Sequence, residues 1–367
     1  MNNPQTINEI TPCWMTDALR AGGSLKVAAV IRVELKQLGI GVGFLGGIAQ
    51  VRLTYDRPEG GTPASVVVKL PAADEVNRAL GDSVNAYERE VRFYQEIAPF
   101  TPIRVPRCHY SFMDRATGTY ILVMEDLSKL TPGDQVAGLT RTQALACTDT
   151  IAALHATWWG GAKRSSLAWV PTAAKQLAEL NVTVEHYRRV WPEFVAEFGR
   201  FAPTAGLVLG ERLVSHLDHM LGCYATAPPT IVHVDYREDN LMLDDRSTDA
   251  PVVVLDWQLA AWGGGAYDVA RLACGSLPPA ERGGHHEEIV QRWHTKLLAY
   301  GVTGYSLNQA WHDYRVGALL AMVNPVLFHH MFKTGGKRGL ELGAVMTERL
   351  FNAVLECGAE SGEIWPE

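Results

Sequence analysis

Residues Ile231 to Leu243 read IVHVDYREDNLML. Six of the eight central residues, His233 to Asn240, carry charged, imidazole or amide side chains. The flanks, Thr230-Ile231-Val232 and Leu241-Met242-Leu243, read as short buried strands. A second run, APVVVLDWQ (Ala250 to Gln258), follows at once, and its apolar strand delivers one carboxylate, Asp256. Charge is costly to bring this close to core unless it is paired or used. Asp235 and Asn240 stand five apart on a loop, and Asp256 follows on the next strand. Such a set offers an acceptor for a hydroxyl proton and oxygen ligands for Mg²⁺, the two things phosphoryl transfer requires. A solvated polar hairpin is the plainer reading. His233 reads as a structural residue of the loop. Arg237, two residues past Asp235, is placed to meet a phosphoryl group, or else to form a salt bridge with Glu238 or Asp239.

Working outward from this loop, the texture of the chain changes once. From about Val27 to Leu127 the pattern is mainly strand-like: AQVRLTY alternates, SVVVKLP is a β-branched run, and TYILVMEDL is an apolar strand ending in acids. One helix, NAYEREVRFYQEI, interrupts it, with Ala86, Val91, Tyr94 and Ile97 at helical spacing. Beyond the turn-rich SKLTPGD the chain is mostly helical. The expectation is an α+β chain with two lobes: a small sheet-rich lobe over 1–127 and a larger helical lobe over 128–367 that holds the charged loop.

The first region carries three further signals. Gly41, Gly43 and Gly46 in GVGFLGG precede an alternating strand rather than a helix, which argues against a dinucleotide fold. A glycine-rich turn between strands is either a plain hairpin or a flap over nucleotide phosphates. Lys69 lies inside the apolar strand VVVKL, so it either snorkels from an edge or has a partner. The helix about twenty residues on offers Glu88 and Glu90; Glu90, one turn before Tyr94 and beside Val91, is preferred, with Glu88 left open. In LVMEDL, Met124 would sit behind an adenine, with the carbonyl of Glu125 and the N–H of Leu127 reading its edge.

Bulk composition narrows the class. The chain has 367 residues, 47% hydrophobic and 20% charged, with a formal net charge of -7, so nucleic acid is not an expected partner. Six scattered cysteines with no metal spacing, no signal peptide and no apolar run long enough for a bilayer read as a cytoplasmic protein.

The ordered set of glycine turn, Lys69, Glu90, LVMEDL, HVDYREDN and VLDWQ resembles the aminoglycoside phosphotransferase and choline kinase-like superfamily, and within it the ecdysteroid kinase-like branch. IAALHATWW around His155, GGGAYDVARLACGSL and the helical tail from Arg292 to Gly317 extend the likeness over roughly residues 30 to 335. The resemblance implies a protein-kinase-like fold and ATP-dependent phosphorylation of a hydroxylated small molecule. By the family pattern Asp235 is the base, Asn240 and Asp256 bind Mg²⁺, and Asp268 braces the loop. Two positions depart from that pattern: Val234 replaces the usual glycine, and Asp-Trp-Gln replaces Asp-Phe-Gly. No Ala-Pro-Glu segment follows Asp256, which disfavours a protein kinase. A catalytically silent nucleotide binder and a metal-dependent hydrolase are the competing classes. The first would be expected to have lost Lys69, Asp235 or Asp256, and the second has no need of Lys69.

The acceptor is read from composition. Residues 158–222 carry seven Lys or Arg against six Asp or Glu, whereas a site for polycationic aminoglycosides calls for acidic excess. The same stretch is rich in rings, among them Trp158, Trp159, Tyr187, Trp191, Phe194 and Phe198. These read either as core or as the wall of a site for a lipophilic alcohol, and that alcohol is the expectation.

Overall fold

The computed structural model describes residues 3–38, 46–72, 74–161, 164–243 and 252–366. The chain divides into two compact units: Met1–Phe100 with Val105–Leu130 and Leu255–Gln258, and Thr101–Arg104 with Thr131–Val254 and Leu259–Glu367.

In the first unit, α1 (Pro12–Ala21) starts where Thr11 caps the Trp14 N–H and Pro12 fills a position that needs no donor. Then come β1 (Val30–Leu38), β2 (Gly46–Tyr55), β3 (Ser65–Pro71), α2 (Glu75–Ser83), α3 (Ala86–Arg92), β4 (Cys108–Asp114) and β5 (Thr119–Glu125). The strands form one antiparallel sheet in the order β1-β2-β3-β5-β4. Val66 and Val68 point to a core shared with Trp14, Met15, Leu19 and Val123, so strand alternation sends Lys69 to the opposite face. Two helices, rather than one, follow β3. The segment 75–83 has only Val76, Ala79 and Leu80 as apolar residues, too short a pattern for the sequence reading to pick out. After Arg92 the helix widens into a π-helical turn, Phe93–Ile97, and Trp257 stacks on Phe93 with ring centroids 4.0 Å apart.

The second unit begins with β6 (Thr131–Pro132), then α4 (Arg141–Thr157), α5 (Ala173–Glu179), α6 (Val184–Phe198), α7 (Thr204–Thr226) and β7 (Pro229–Val232). It continues through β8 (Leu241–Leu243), β9 (Val253–Val254), β10 (Ala261–Gly264), α8 (Ala266–Ser276), α9 (Pro279–Arg282) and α10 (His286–Ala299). It ends with α11 (Leu307–Leu327), α12 (His329–Thr334) and α13 (Gly336–Glu356). β7 pairs with β10, while β8 lies between β6 and β9. Every residue of α8 is buried. The rings of α6 are interior: Tyr187 stacks on Trp191, and Trp191 and Phe194 both stack on Phe351 of α13. Tyr187, Trp191, Phe194 and Phe198 are therefore spent on packing, and the lipophilic-wall reading loses them. Among the described residues no helix is long and apolar enough to cross a membrane.

Candidate active site

The first unit holds an ion cluster built on strand register. Lys69 pairs with Ile48 on one side and Leu122 on the other, so it is an interior-strand residue with no route to solvent along an edge. Its ammonium reaches Glu90 of α3, at 2.9 and 2.8 Å to the two carboxylate oxygens, and Asp256 Oδ1 at 3.1 Å. Tyr120 and Gln258 also donate to Glu90 Oε2, at 2.6 and 3.2 Å. Glu88 is engaged elsewhere, by Arg115. Burial pulls the Lys69 ammonium toward neutrality, but the carboxylates of Asp256 and Glu90 outweigh it and hold it above the ordinary lysine range. The Lys69 and Glu90 side chains are 7% and 1% exposed, whereas Asp256 is 41% exposed and so open to a ligand.

The segment expected to read adenine is an extended strand end. Met124 and Glu125 close β5, with Val67 opposite Met124 and Val66 opposite Glu125. The Leu127 N–H has no hydrogen-bond partner among the described residues, while its carbonyl accepts from Leu130. Asp126 is tied down by Ser65, Gln50 and the Ser128 N–H. Gly46 opens β2; Gly41 and Gly43 lie outside the described residues.

The second unit holds the charged loop. It leaves β7 at Val232 and returns at β8, so two short strands fix both ends. Asp268 of α8, fully buried, accepts the backbone N–H groups of His233 at 2.7 Å and Val234 at 2.8 Å. It also meets His155 Nε2 at 3.2 Å, and Trp293 donates to His155 Nδ1, so the ring proton lies on Nε2, facing the carboxylate. This clamp holds Val234 at φ +72°, a left-handed conformation rare for a β-branched residue. Asp256 in the other unit also has positive φ, +59°.

Asp235 is the centre of the loop's side-chain network. Arg237 Nε donates to its Oδ2 at 2.8 Å, Asn240 Nδ2 to Oδ2 at 3.1 Å and to its backbone carbonyl at 2.8 Å, and Arg271 Nη2 to Oδ1 at 3.3 Å. Burial alone would raise its pKa; Arg237 and Arg271 overcome that and hold the carboxyl well below the usual range. Arg237 also donates to Asp239 and Gln135. Glu238 instead turns inward to Arg349 at 3.5 Å, and burial pushes it up to about 7.

Oxygen chemistry decides whether these residues suit Mg²⁺. Asn240 spends its amide nitrogen on Asp235, which leaves Oδ1 without a hydrogen bond among the described residues. Asp256 has one oxygen on Lys69 and the other free of hydrogen bonds among the described residues. Among the described residues no group of three or more His, Cys, Asp or Glu forms a metal cage. Asn240 and Asp256 each offer by themselves a single oxygen donor of the kind Mg²⁺ takes, an ion that keeps waters and substrate phosphates among its ligands. Sequence pattern did not single out Arg271, Tyr120, Gln258 or Gln135. Arg271 was within reach, one helical turn past Asp268; the others depend on strand register and long-range packing.

Among curated proteins none matches the sequence. Solved structures match in fold. The macrolide 2'-phosphotransferase of Brachybacterium faecium superposes with TM-score 0.50 at 16% identity, covering 91% of this chain and 96% of that one. The APH(2″) enzyme solved with GDP and kanamycin gives 0.51 at 13%, covering 95% and 99%. Choline kinase from Cryptosporidium parvum Iowa II gives 0.53 at 12%, covering 89% of each. The profile described as "Phosphotransferase enzyme family" matches residues 49–312, most of the chain and every charged residue of both clusters. The chain thus belongs to the phosphotransferase enzyme family, and is a phosphotransferase.

Proposed function

We propose that this phosphotransferase uses Mg-ATP to phosphorylate a hydroxyl of a small, lipophilic molecule, with Asp235 accepting the proton. The observation that carries the reading is the side-chain network around Asp235, a carboxylate kept ionised by two guanidiniums on a loop whose backbone is clamped by Asp268. In the step proposed, the alcohol oxygen bonds to the γ-phosphorus as the bond from that phosphorus to the bridging oxygen breaks. The hydroxyl proton passes to Asp235 and the nucleoside diphosphate leaves. Lys69, held by Glu90, serves the nucleotide phosphates. Asn240 Oδ1 and Asp256 would hold Mg²⁺, which neutralises charge on the phosphates. Arg237 stands beside Asp235 as the cation for the transferring group. Gly41, Gly43 and Gly46 cover the phosphates in this reading, and Met124, Glu125 and Leu127 read the base. The family's fold relatives solved with GDP make nucleotide use the natural reading. Support for a lipophilic acceptor is the near balance of charge over residues 158–222; the interior rings of α6 add nothing to it.

Calorimetry and ADP release test the division of roles. Asp235→Asn should bind Mg-ATP with near-normal affinity and lose ~10²–10⁴-fold in turnover. Asp256→Ala and Lys69→Ala should weaken Mg-ATP binding itself. Unchanged affinity in Asp256→Ala would remove it as a metal ligand, and near-normal turnover in Asp235→Asn would remove the base.

A further inference from the structure

Buried arginines in the second unit are of two kinds. Arg282 is saturated: it takes both oxygens of Glu356 at 2.8 Å and the Leu277 carbonyl at 3.0 Å. Arg349 donates to the carbonyls of Gln135 and Val136 at 2.8 Å each, and to that of Gly275 at 3.2 Å. Both are joined by short bonds to the framework, as a structural guanidinium must be. Arg271 differs. Its side chain is 6% exposed and, among the described residues, Nη1 is buried without a hydrogen-bond partner and the guanidinium's one hydrogen bond is the 3.3 Å bond from Nη2 to Asp235 Oδ1. A helix buried on every side would be more stable with an apolar residue there. The fold makes room for the guanidinium nonetheless: a Cβ on Gly275 would stand 2.7 Å from Nη1.

The two oxygens of Asp235 are also treated differently. Oδ2 takes Arg237 at 2.8 Å and Asn240 at 3.1 Å, while Oδ1 has Arg271 alone among the described residues. Oδ1 therefore keeps a lone pair for an incoming hydroxyl. Arg271 lies one turn after Asp268 on the same helix, so α8 grips the loop twice, once by its backbone and once by its carboxylate. We propose that Arg271 is a positioning residue for phosphoryl transfer, fixing the rotation of the Asp235 carboxylate so that Oδ1 faces the acceptor hydroxyl. This rests on Asp235 as the proton acceptor.

The test uses the full chain and Mg-ATP, with water as the phosphoryl acceptor and ADP release as the readout. Arg271→Met should lower kcat roughly 10–100-fold and leave KM for Mg-ATP within about twofold. Arg271→Lys, which keeps the charge if the methionine variant folds poorly, should recover part of the rate. In an Asp235→Asn background, Arg271→Met should cost nothing further, because a residue acting through Asp235 has nothing left to position. An equal loss in both backgrounds would overturn the proposal, as would a folded Arg271→Met or Arg271→Lys variant with wild-type kcat. If Asp235→Asn alone keeps the wild-type rate, the assignment of the base has failed instead.

Discussion

At the scale of residues, the backbone of the charged loop is held by one buried carboxylate. Asp268 takes two backbone N–H groups and an imidazole N–H with no access to water. Asp268→Asn would turn one acceptor oxygen into an NH₂ facing those donors. The expected cost is ~2–4 kcal/mol in urea unfolding, since buried donors are left unmet. Turnover should fall as well, because Val234 no longer has its left-handed conformation, worth about 1–2 kcal/mol of strain, offset by the clamp. A variant within 0.5 kcal/mol of wild type, roughly the spread for a harmless surface change, would refute the clamp. Sequence made part of this visible. The pairing of Lys69 with Glu90 rather than Glu88 follows from helical phase: Val91 and Tyr94 mark the buried face and Glu90 lies on it. The φ of Val234 could not be read, because an unusual residue identity signals a departure without saying which side of the backbone map it occupies. Arg271 lay within reach, one turn past Asp268, but an arginine in an apolar helix passes for a surface residue until its neighbours are known.

At the scale of elements, α7 allows a controlled comparison within one helix. Gly210 and Gly222 both lie in its interior, where alanine is intrinsically better by about 1 kcal/mol. Their surroundings differ completely. A Cβ at Gly210 would stand 2.2 Å from the ring of Trp191, which is stacked between Tyr187 and Phe351 and bonded through its N–H to Glu211. A Cβ at Gly222 meets nothing within 4 Å. Gly222→Ala should therefore stabilise by ~0.5–1 kcal/mol, while Gly210→Ala should destabilise, overpacking costing about 1–3 kcal/mol against the propensity gain. Thermal unfolding of the two variants checks the sign of each, and a stabilised Gly210→Ala would mean that α6 is not seated on α7 through Trp191. Strands flanking the charged loop and the interior strand of Lys69 were legible from alternation and β-branched runs. Helix α2 was not, since it offers only Val76, Ala79 and Leu80 as apolar residues over two turns, and neither was the π-helical turn at Phe93–Ile97, which differs from an α-helix by one residue in hydrogen-bond register.

At the scale of the whole molecule, fold and acceptor separate. Relatives in fold act on macrolides or bind kanamycin or choline by their names, at 12–16% identity, so the architecture alone selects none of these for this chain. Charge is the remaining argument. A polycation with several ammonium groups needs carboxylates in excess where it binds. Residues 158–222 instead have seven basic against six acidic side chains, and several of those acids are already paired, Glu197 with Lys333 and Glu179 with Lys175. Bringing kanamycin to such a surface would require partners that are occupied or absent from the balance. Removing water from apolar surface gives a neutral alcohol roughly 25 cal/mol per Å², with no counter-charge needed. A steroid alcohol and kanamycin compared as acceptors, by ADP release under the same Mg-ATP, should therefore differ by at least about tenfold in kcat/KM, a gap of ~1.4 kcal/mol in favour of the steroid. Salt adds a second readout: turnover of a neutral alcohol should be nearly flat with ionic strength, whereas a polycation bound by carboxylates loses affinity as salt screens them. Efficient, salt-sensitive phosphorylation of kanamycin with the steroid ignored would defeat the lipophilic reading and leave the phosphotransferase standing.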